Sequence, residues 1–307
     1  MDENTALKKN ITCYIKDLDP NNELVRCWPL KGGKSADVTA FEIKQANEAT
    51  VKCVIRQYGR ADLERNPNVA RDEYKLLQIL TSEGLPVPKP YAFDPTGERF
   101  DRPSIVIEYI DGQPVFTESV SEDTIKIMAT RLAMLHRINP STHDLTFLIK
   151  QTDRFHAMFE KYSDQLAGIM VEERVQTVFD LFSQKNQPNP FVLTHGDFWP
   201  GNLLWKNGKL AAIIDWEDAT LTDPLLDVAN SRLEIFYFFG SEATERFTTH
   251  YQKLCTDCDF TRLPCWDLCV GLRSAVQLSQ FGLDKQTEKT MRERNKQFTN
   301  LALKQLI

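Results

Sequence analysis

Apolar residues follow two different periods along this chain. In the first part, short alternating or continuous apolar runs predict strands, and in the last part apolar residues at helical spacing predict helices. One segment before these strands and one between them carry a helical pattern. The predicted strands are Glu23–Leu30, Val38–Ile43, Val51–Arg56 and Ser104–Gly112, and the helices are Ala6–Leu18 and Val69–Leu80.

The later part of the chain contains one cluster of short strands within a helical pattern. Ser121 precedes a periodic apolar segment and is predicted to cap its helix. The turn signal at residues 206–208 predicts a hairpin between two of the strands. The predicted strands are Phe191–Thr194, Leu203–Trp205 and Leu210–Ile214, and the helices are Ser121–Ile138, Arg154–Leu166, Val171–Gln184, one running from the Asp223 turn towards Phe239, Glu242–Leu254, Cys265–Phe281 and Lys285–Leu306.

Strands first and helices later indicate an α+β protein with two lobes, an antiparallel sheet lobe and a mainly helical lobe. The apolar run that starts at Ser104 ends in a turn at Gly112, and we expect the lobes to join there. The predicted domains are therefore residues 1–110 and residues 111–307.

Candidate chemistry is concentrated in the segment from His195 to Asn202 and in Asp215. A phosphoryl-transfer site needs a carboxylate that orients a hydroxyl group and accepts its proton, together with oxygen ligands for magnesium. Asp197 is placed for the first task, and Asn202 and Asp215 suit the second. The Asp-to-Asn spacing matches that of the protein-kinase catalytic loop. We expect His195 to organise the loop by hydrogen bonding.

At these residues the chain resembles the aminoglycoside phosphotransferase and choline kinase-like family, and the resemblance extends over nearly the whole chain. It implies a protein-kinase-like fold and phosphorylation of small molecules. It also implies that Asp197 is the catalytic base and that Asn202 and Asp215 hold magnesium.

Nucleotide contacts are predicted in the first lobe. Gly32 and Gly33 lie between two strands, where backbone amides can approach phosphate groups, and Ser35 follows in a loop similar to that of the family. Residues 33–35 are not a P-loop, because the earlier glycine is missing and no helix follows. Arg56 ends the third strand and is the candidate cation for the ATP phosphates, with Glu73 on the next helix as its partner.

The strand that begins at Ser104 has the character of a lobe hinge. In kinase-like folds the hinge backbone pairs with adenine, so the resemblance implies nucleotide contacts from the backbone groups of Glu108 and Ile110.

Composition narrows the class of protein. The 307 residues carry a net charge of −6 and no basic stripe, which argues against a nucleic-acid partner. We see no signal peptide or membrane-spanning run and expect a cytoplasmic protein with no membrane partner.

Four of the seven cysteines lie late in the chain, and their spacing predicts reduced, metal-free thiols rather than a zinc site: Cys255, Cys258, Cys265 and Cys269.

These observations predict an ATP- and Mg²⁺-dependent enzyme that transfers the γ-phosphate to a hydroxyl group of a small molecule. A non-catalytic nucleotide-binding protein on the same fold and a metal-dependent hydrolase remain alternatives. The acceptor stays open between an amine-bearing substrate such as an aminoglycoside, a choline-like cation, homoserine, a sugar and a macrolide. Two candidate acceptor surfaces are an acidic set, Glu217, Asp218, Asp227 and Glu234, and an aromatic set, Trp199, Trp216 and Phe236.

Overall fold

The computed structural model describes residues 3–30, 36–116, 120–148 and 189–306. The chain divides into two compact units, one formed by Met1–Gln113 with Leu204–Glu217 and the other by Pro114–Leu203 with Asp218–Ile307. The first division lies close to the expected boundary at residue 110, but the later strands at 204–217 belong to the first unit. Among the described helices, none combines the length and apolar character needed to cross a bilayer.

The first unit is built on an antiparallel sheet. Its five strands run in the order β1-β2-β3-β5-β4, and each neighbouring pair is antiparallel. The central strand is buried continuously from Cys53 to Tyr58, which brings Arg56 into the interior of the unit. The strands are β1 (Glu23–Pro29), β2 (Ala36–Lys44), β3 (Thr50–Tyr58), β4 (Pro90–Asp94) and β5 (Ser104–Glu108).

Three helices accompany this sheet: α1 (Glu3–Leu18), α2 (Arg60–Arg65) and α3 (Val69–Ser82). Helix α1 buries Ile11 and Ile15 in a cluster with Phe41 and Ile55 of the sheet. Helix α3 buries the apolar side chains that its period predicts, and Glu73 is buried on the same helix. The apolar faces of α1 and α3 therefore contribute to the core of the first unit.

A hairpin of β7 (Leu203–Lys206) and β8 (Lys209–Ile213) follows the catalytic motif in the sequence. Its turn residues Asn207 and Gly208 have φ angles of 51° and 73°, the combination that a two-residue hairpin of this twist requires. Gln113 and Trp205 exchange two backbone hydrogen bonds of 3.0 and 2.9 Å, which fixes the hairpin to the first unit.

The second unit is mainly helical, and its described elements are α4 (Glu122–His136), β6 (Val192–Thr194), β9 (Thr220–Thr222), α5 (Leu225–Leu254), α6 (Leu263–Gln277) and α7 (Lys285–Leu306). Strands β6 and β9 form an antiparallel pair. Short 3₁₀ turns occupy Pro200–Asn202 and Leu278–Gln280. The predicted cap of α4 is confirmed, since the Thr124 N–H donates to Ser121 Oγ at 3.0 Å. Helix α5 is interrupted at Gly240, where φ is 81°, between its two predicted halves.

The α+β class and the strand-to-helix order of the sequence prediction are confirmed. Three short elements, α2, β4 and β9, were not predicted from the sequence. Each is too short to show a period that distinguishes it from a loop. The predicted helices at residues 154–166 and 171–184, and the glycine loop containing Gly32, Gly33 and Ser35, lie outside the described residues.

Candidate active site

A tight turn after strand β6 begins the motif from His195 to Asn202. Gly196 adopts a φ of +82°, and a Cβ atom built there would lie 2.2 Å from the backbone oxygen of Asp218. A side chain at this position would clash with backbone, so glycine is required by both conformation and space. The chain turns sharply at this residue, immediately before Asp197.

Asp227, at the start of helix α5, holds this turn in place. Its carboxylate accepts hydrogen bonds from the backbone N–H groups of His195, at 2.6 Å, and Gly196, at 2.8 Å. His136 Nε2 lies 3.2 Å from the same carboxylate, and His136 Nδ1 lies 2.6 Å from the Tyr251 hydroxyl. Asp227 has no exposed surface, so the expectation that it lines an acidic pocket is wrong. Its charge is compensated by hydrogen bonds inside the unit.

Asp197 and Asn202 are joined across the loop. Asn202 Nδ2 donates to the backbone oxygen of Asp197 and to its Oδ2, both at 2.9 Å. The Asp197 N–H donates to His195 Nδ1 at 3.2 Å, and the His195 ring is fully buried. Asp197 is partly exposed, so its carboxylate is held in a fixed position while remaining accessible. The other amide atom of Asn202, Oδ1, makes no protein hydrogen bond among the described residues.

Helix α5 contacts the rest of the loop with the same face that carries Asp227. Asn230 Nδ2 donates to the Gly196 oxygen at 3.1 Å, and Ser231 Oγ donates to the Phe198 oxygen at 2.8 Å. Residues three and four positions apart lie on one side of a helix, so these three polar side chains act together on the loop.

In the first unit, Arg56 is surrounded by carboxylates. Its Nη1 donates to Glu73 Oε1 at 3.0 Å, and its Nη2 donates to Asp215 Oδ1 at 2.9 Å and Glu217 Oε2 at 3.0 Å. Arg56 is only 8% exposed, and the Tyr58 hydroxyl donates to the other oxygen of Glu73 at 2.6 Å. The structure thus places Glu73, the partner expected from the sequence, against Arg56, and adds Asp215 and Glu217 to the pair.

This arrangement shifts the proton equilibria of the cluster. Burial opposes the charge of Arg56, but the neighbouring carboxylates, Glu73 first, raise its pKa well above the ordinary value. Burial, together with the charge of Asp215, raises the pKa of Glu217 to about 7. Burial also raises the pKa of Glu73 in spite of the guanidinium beside it. Arg65 Nη2 lies 3.3 Å from Glu217 Oε1, so a second guanidinium group contacts this set of carboxylates.

Asp215 has the geometry of a functional carboxylate. Its backbone φ is +70°, a left-handed conformation that is uncommon for residues other than glycine. Its side chain is 36% exposed, in contrast to the buried side chains of Arg56 and Glu73. One carboxylate oxygen binds Arg56, and the side chain remains accessible to a ligand.

The hinge residues have different backbone environments. The Glu108 N–H donates to the Lys89 oxygen at 2.9 Å, so it is already paired within the protein. The Ile110 oxygen accepts from the Gly112 N–H at 3.1 Å, and among the described residues the Ile110 N–H has no acceptor.

The aromatic set expected from the sequence does not form a cage. Trp216 is buried and its Nε1 donates to the Ile213 oxygen at 3.0 Å, and Phe236 is buried against Phe298. Trp199 instead stacks on Phe238, with ring centroids 5.8 Å apart, and both rings contact Phe116. We call Phe116, Trp199 and Phe238 the aromatic cluster. Phe116 and Phe238 were not expected at this site from the sequence, although Phe238 lies eleven positions after Asp227 on the same helical face.

The four late cysteines differ in solvent exposure, since Cys255 and Cys258 are partly exposed. Cys265 and Cys269 are buried on helix α6, and all the cysteines are unpaired thiols. In the described part of the chain, no group of three or more histidine, cysteine or acidic side chains has the geometry of a metal site. Burial raises the pKa of Cys265 and Cys269, which favours the neutral thiol.

Solved structures of known proteins are similar to the fold described above. The choline kinase from Streptococcus pneumoniae has a TM-score of 0.66 and 20% identity, with 96% of this chain and 99% of that chain covered. The amicoumacin kinase in complex with AMP-PNP, Ca²⁺ and Ami has a TM-score of 0.68 and 14% identity, with 98% and 94% covered. These likenesses show a protein-kinase-like fold.

Relatives by sequence include acyl-CoA dehydrogenase family member 11 of Homo sapiens, 27% identical over 184 residues. The match covers 54% of this chain but 23% of that protein, so this chain corresponds to a minor part of its length. The sequence profile of the phosphotransferase enzyme family matches residues 29–259, which is most of the chain. This chain belongs to the phosphotransferase enzyme family.

Proposed function

We propose that this protein is an ATP- and magnesium-dependent kinase that transfers the γ-phosphoryl group to a hydroxyl group of a small molecule. The observation that carries the proposal is the fixed but accessible carboxylate of Asp197, held by Asn202 on a turn that Asp227 anchors. Such rigid positioning is what phosphoryl transfer requires from a protein. The nucleotide in the amicoumacin kinase complex and the kinase activities of the structural neighbours support it.

In this proposal Asp197 orients the acceptor hydroxyl and accepts its proton. The hydroxyl oxygen forms a bond to the γ-phosphorus, the bond from that phosphorus to the β–γ bridging oxygen breaks, and ADP leaves with the bonding electrons. The hydrogen bonds from Asn202 keep the Asp197 carboxylate in one orientation throughout. Positioning of this type contributes most of the rate in phosphoryl transfer.

Asp215 and Asn202 have side chains suited to bind magnesium. Magnesium prefers oxygen donors, and the exposed carboxylate of Asp215 and the Oδ1 of Asn202 are of that type. When bound, the ion would neutralise charge on the transferred phosphate. Of the three carboxylates that contact Arg56, that of Asp215 is the most exposed, which leaves it accessible to a cation.

The remaining nucleotide contacts are proposed from the family resemblance together with the hydrogen bonds of the described residues. Arg56, fixed by Glu73, supplies positive charge for the α- and β-phosphates, and its Nε is buried without a protein partner among the described residues. Gly32, Gly33 and Ser35 are proposed to contact the phosphates. At the hinge, the Ile110 N–H is the available donor for adenine, and Glu108 contributes through its carbonyl group because its N–H is occupied.

A coupled assay of ADP release over a panel of small hydroxyl compounds tests the proposal. We expect ADP release that depends on magnesium and on an added alcohol, with a phosphorylated product identified by mass spectrometry. Asp197→Asn serves as the matched inactive control. Release of phosphate to water, unchanged by every alcohol, would indicate a hydrolase instead, and nucleotide binding without turnover would indicate a non-catalytic protein.

A further inference from the structure

One face of helix α5 contacts the catalytic loop over more than two turns. Asp227, Asn230 and Ser231 bind the backbone of residues 195–198, and Phe238, two turns further on, stacks on Trp199. Glu234 lies between these positions on the same face, since it is seven residues from Asp227 and four from Phe238. Helical spacing alone therefore places Glu234 beside the loop that carries Asp197.

Glu234 differs from the other polar side chains on this face in its contacts with the described residues. Among the described residues, its carboxyl group makes no hydrogen bond or ion pair, although it is only partly exposed. It interacts electrostatically with Asp197 and with Arg273. Burial, reinforced by the charge of Asp197, raises the pKa of Glu234 to about 8. At neutral pH the group is therefore mostly protonated and has a hydrogen-bond donor available.

Arg273, on helix α6, is the corresponding cation. Its Nη2 donates to Asn230 Oδ1 at 2.6 Å, and in the described part of the chain no carboxylate lies within ion-pair distance of its guanidinium group. The side chain is partly buried. Arg232, by contrast, binds both oxygens of Asp267. A partly buried guanidinium with one neutral partner retains unused N–H donors and unbalanced charge.

We propose, building on the proposed function, that Arg273 and Glu234 bind a carboxylate of the acceptor, which makes the acceptor a hydroxy acid. The carboxylate accepts hydrogen bonds from the guanidinium of Arg273 and from the carboxyl proton of Glu234, while the hydroxyl group faces Asp197. The aromatic cluster then covers the apolar body of the same molecule.

An anionic acceptor would bind both side chains at once, and neither side chain forms an ion pair with any of the described residues. A cationic acceptor would leave Arg273 without a counter-ion and would require Glu234 to lose its proton. Planar, two-point recognition of a carboxylate is the task for which a guanidinium is suited. The negative charge of the acceptor is therefore inferred from Arg273. The position of its hydroxyl group near Asp197 is inferred from the helix face of Glu234, whose other side chains contact residues 195–199.

Matched pairs of hydroxy acids and their uncharged amides test this proposal. We expect the parent enzyme to favour each acid over its amide in kcat/KM, and Arg273→Gln to lower that value for the acids by roughly 10- to 100-fold, the scale of a charged hydrogen bond. The amides should be affected little. Arg273→Lys should retain part of the preference, and Arg246→Gln, which removes an exposed ion pair to Glu122, is the control.

Glu234 requires its own comparison. Glu234→Gln keeps a hydrogen-bond donor and Glu234→Leu removes it, so the Gln variant should retain a lower KM for the acids than the Leu variant. An equal loss for acids and amides in Arg273→Gln would show that the residue only supports Asn230, and would overturn the proposal. So would a parent enzyme that prefers amino alcohols and loses that preference in Glu234→Gln.

Calorimetry separates failure of this inference from failure of the proposed function. If no hydroxyl compound is phosphorylated, the function is wrong, and titration of the parent and of Arg273→Gln with the same hydroxy acids still decides the subsite. Binding that depends on Arg273 supports the carboxylate site, and absence of binding by both proteins overturns it.

Discussion

Replacement of Asp227 by asparagine tests how the catalytic loop is held. The carboxylate accepts two backbone hydrogen bonds, from His195 and Gly196, inside a fully buried site. Asparagine retains one acceptor oxygen and presents an NH₂ group to the other backbone donor. One hydrogen bond to a charged group is lost and one buried N–H is left unpaired, so we expect Asp227→Asn to lower the free energy of unfolding by about 2–4 kcal/mol.

For a chain of this size that loss corresponds to a decrease in melting temperature of roughly 4–16 °C. Hydrogen exchange gives a local reading, because the amide protons of His195 and Gly196 should exchange faster in the variant. Phosphoryl transfer should also fall, since Asp197 follows directly in the loop. Asp223→Asn is the matched control: Asp223 is equally buried but accepts from Asn189 and Leu225.

Parental melting temperature together with parental protection of these two amides in Asp227→Asn would refute the reasoning. It would mean that the loop is held by Asn230, Ser231 and its own hydrogen bonds, without a contribution from the buried charge. The reasoning would also be refuted if Asp223→Asn lowered the melting temperature and sped up exchange of the His195 and Gly196 amides as much as Asp227→Asn does. Any change at the start of helix α5 would then have the same effect on the loop.

Three further outcomes are expected. Arg56→Ala should lower the melting temperature and the affinity for nucleotide, because it removes the cation that contacts the buried carboxylates of Glu73 and Glu217. Arg56→Lys keeps the charge and should retain part of the stability and part of the affinity, and calorimetric titration with nucleotide distinguishes the two variants. Asp215→Ala should weaken nucleotide binding only when magnesium is present, as seen by titration with and without the metal. Because the pKa of Glu234 is raised from 4.5 to about 8, the folded protein retains a proton that the unfolded chain loses, and its stability falls as pH rises through this window. Glu234→Gln should make that fall smaller in urea unfolding measured across the range, and the part that comes from Glu217 should remain.

The sequence predicted those features that depend on local pattern. Apolar periods located the sheet of the first unit and most of the helices, Ser121 identified a helix cap, and Asn207-Gly208 identified a hairpin turn. The spacing of Asp197 and Asn202 pointed to one loop, and in the structure the two side chains are hydrogen-bonded. These features are encoded within a few residues of each other.

Features that depend on distant packing were not visible. Asp227 looked like a pocket residue because its carboxylate resembles any other at the start of a helix, and only the fold brings the His195 and Gly196 amides to it. Arg56 was paired with Glu73 in advance, but Asp215 and Glu217 join it from far along the chain. Likewise, the environment of Arg273, which has no carboxylate within ion-pair distance among the described residues, depends on side chains of other elements and cannot be predicted from local sequence.

Asp197→Asn tests the central claim most directly, because the side chains are nearly isosteric and only the base and its charge are removed. We predict a parental melting temperature, parental affinity for magnesium-bound ATP, and a single-turnover rate of phosphoryl transfer lower by roughly two or more orders of magnitude, the scale of a positioned general base. The three quantities are measured on one preparation. A near-parental rate would remove Asp197 from the chemistry and contradict the account, and a joint fall in melting temperature and ATP affinity would show that Asp197 is structural.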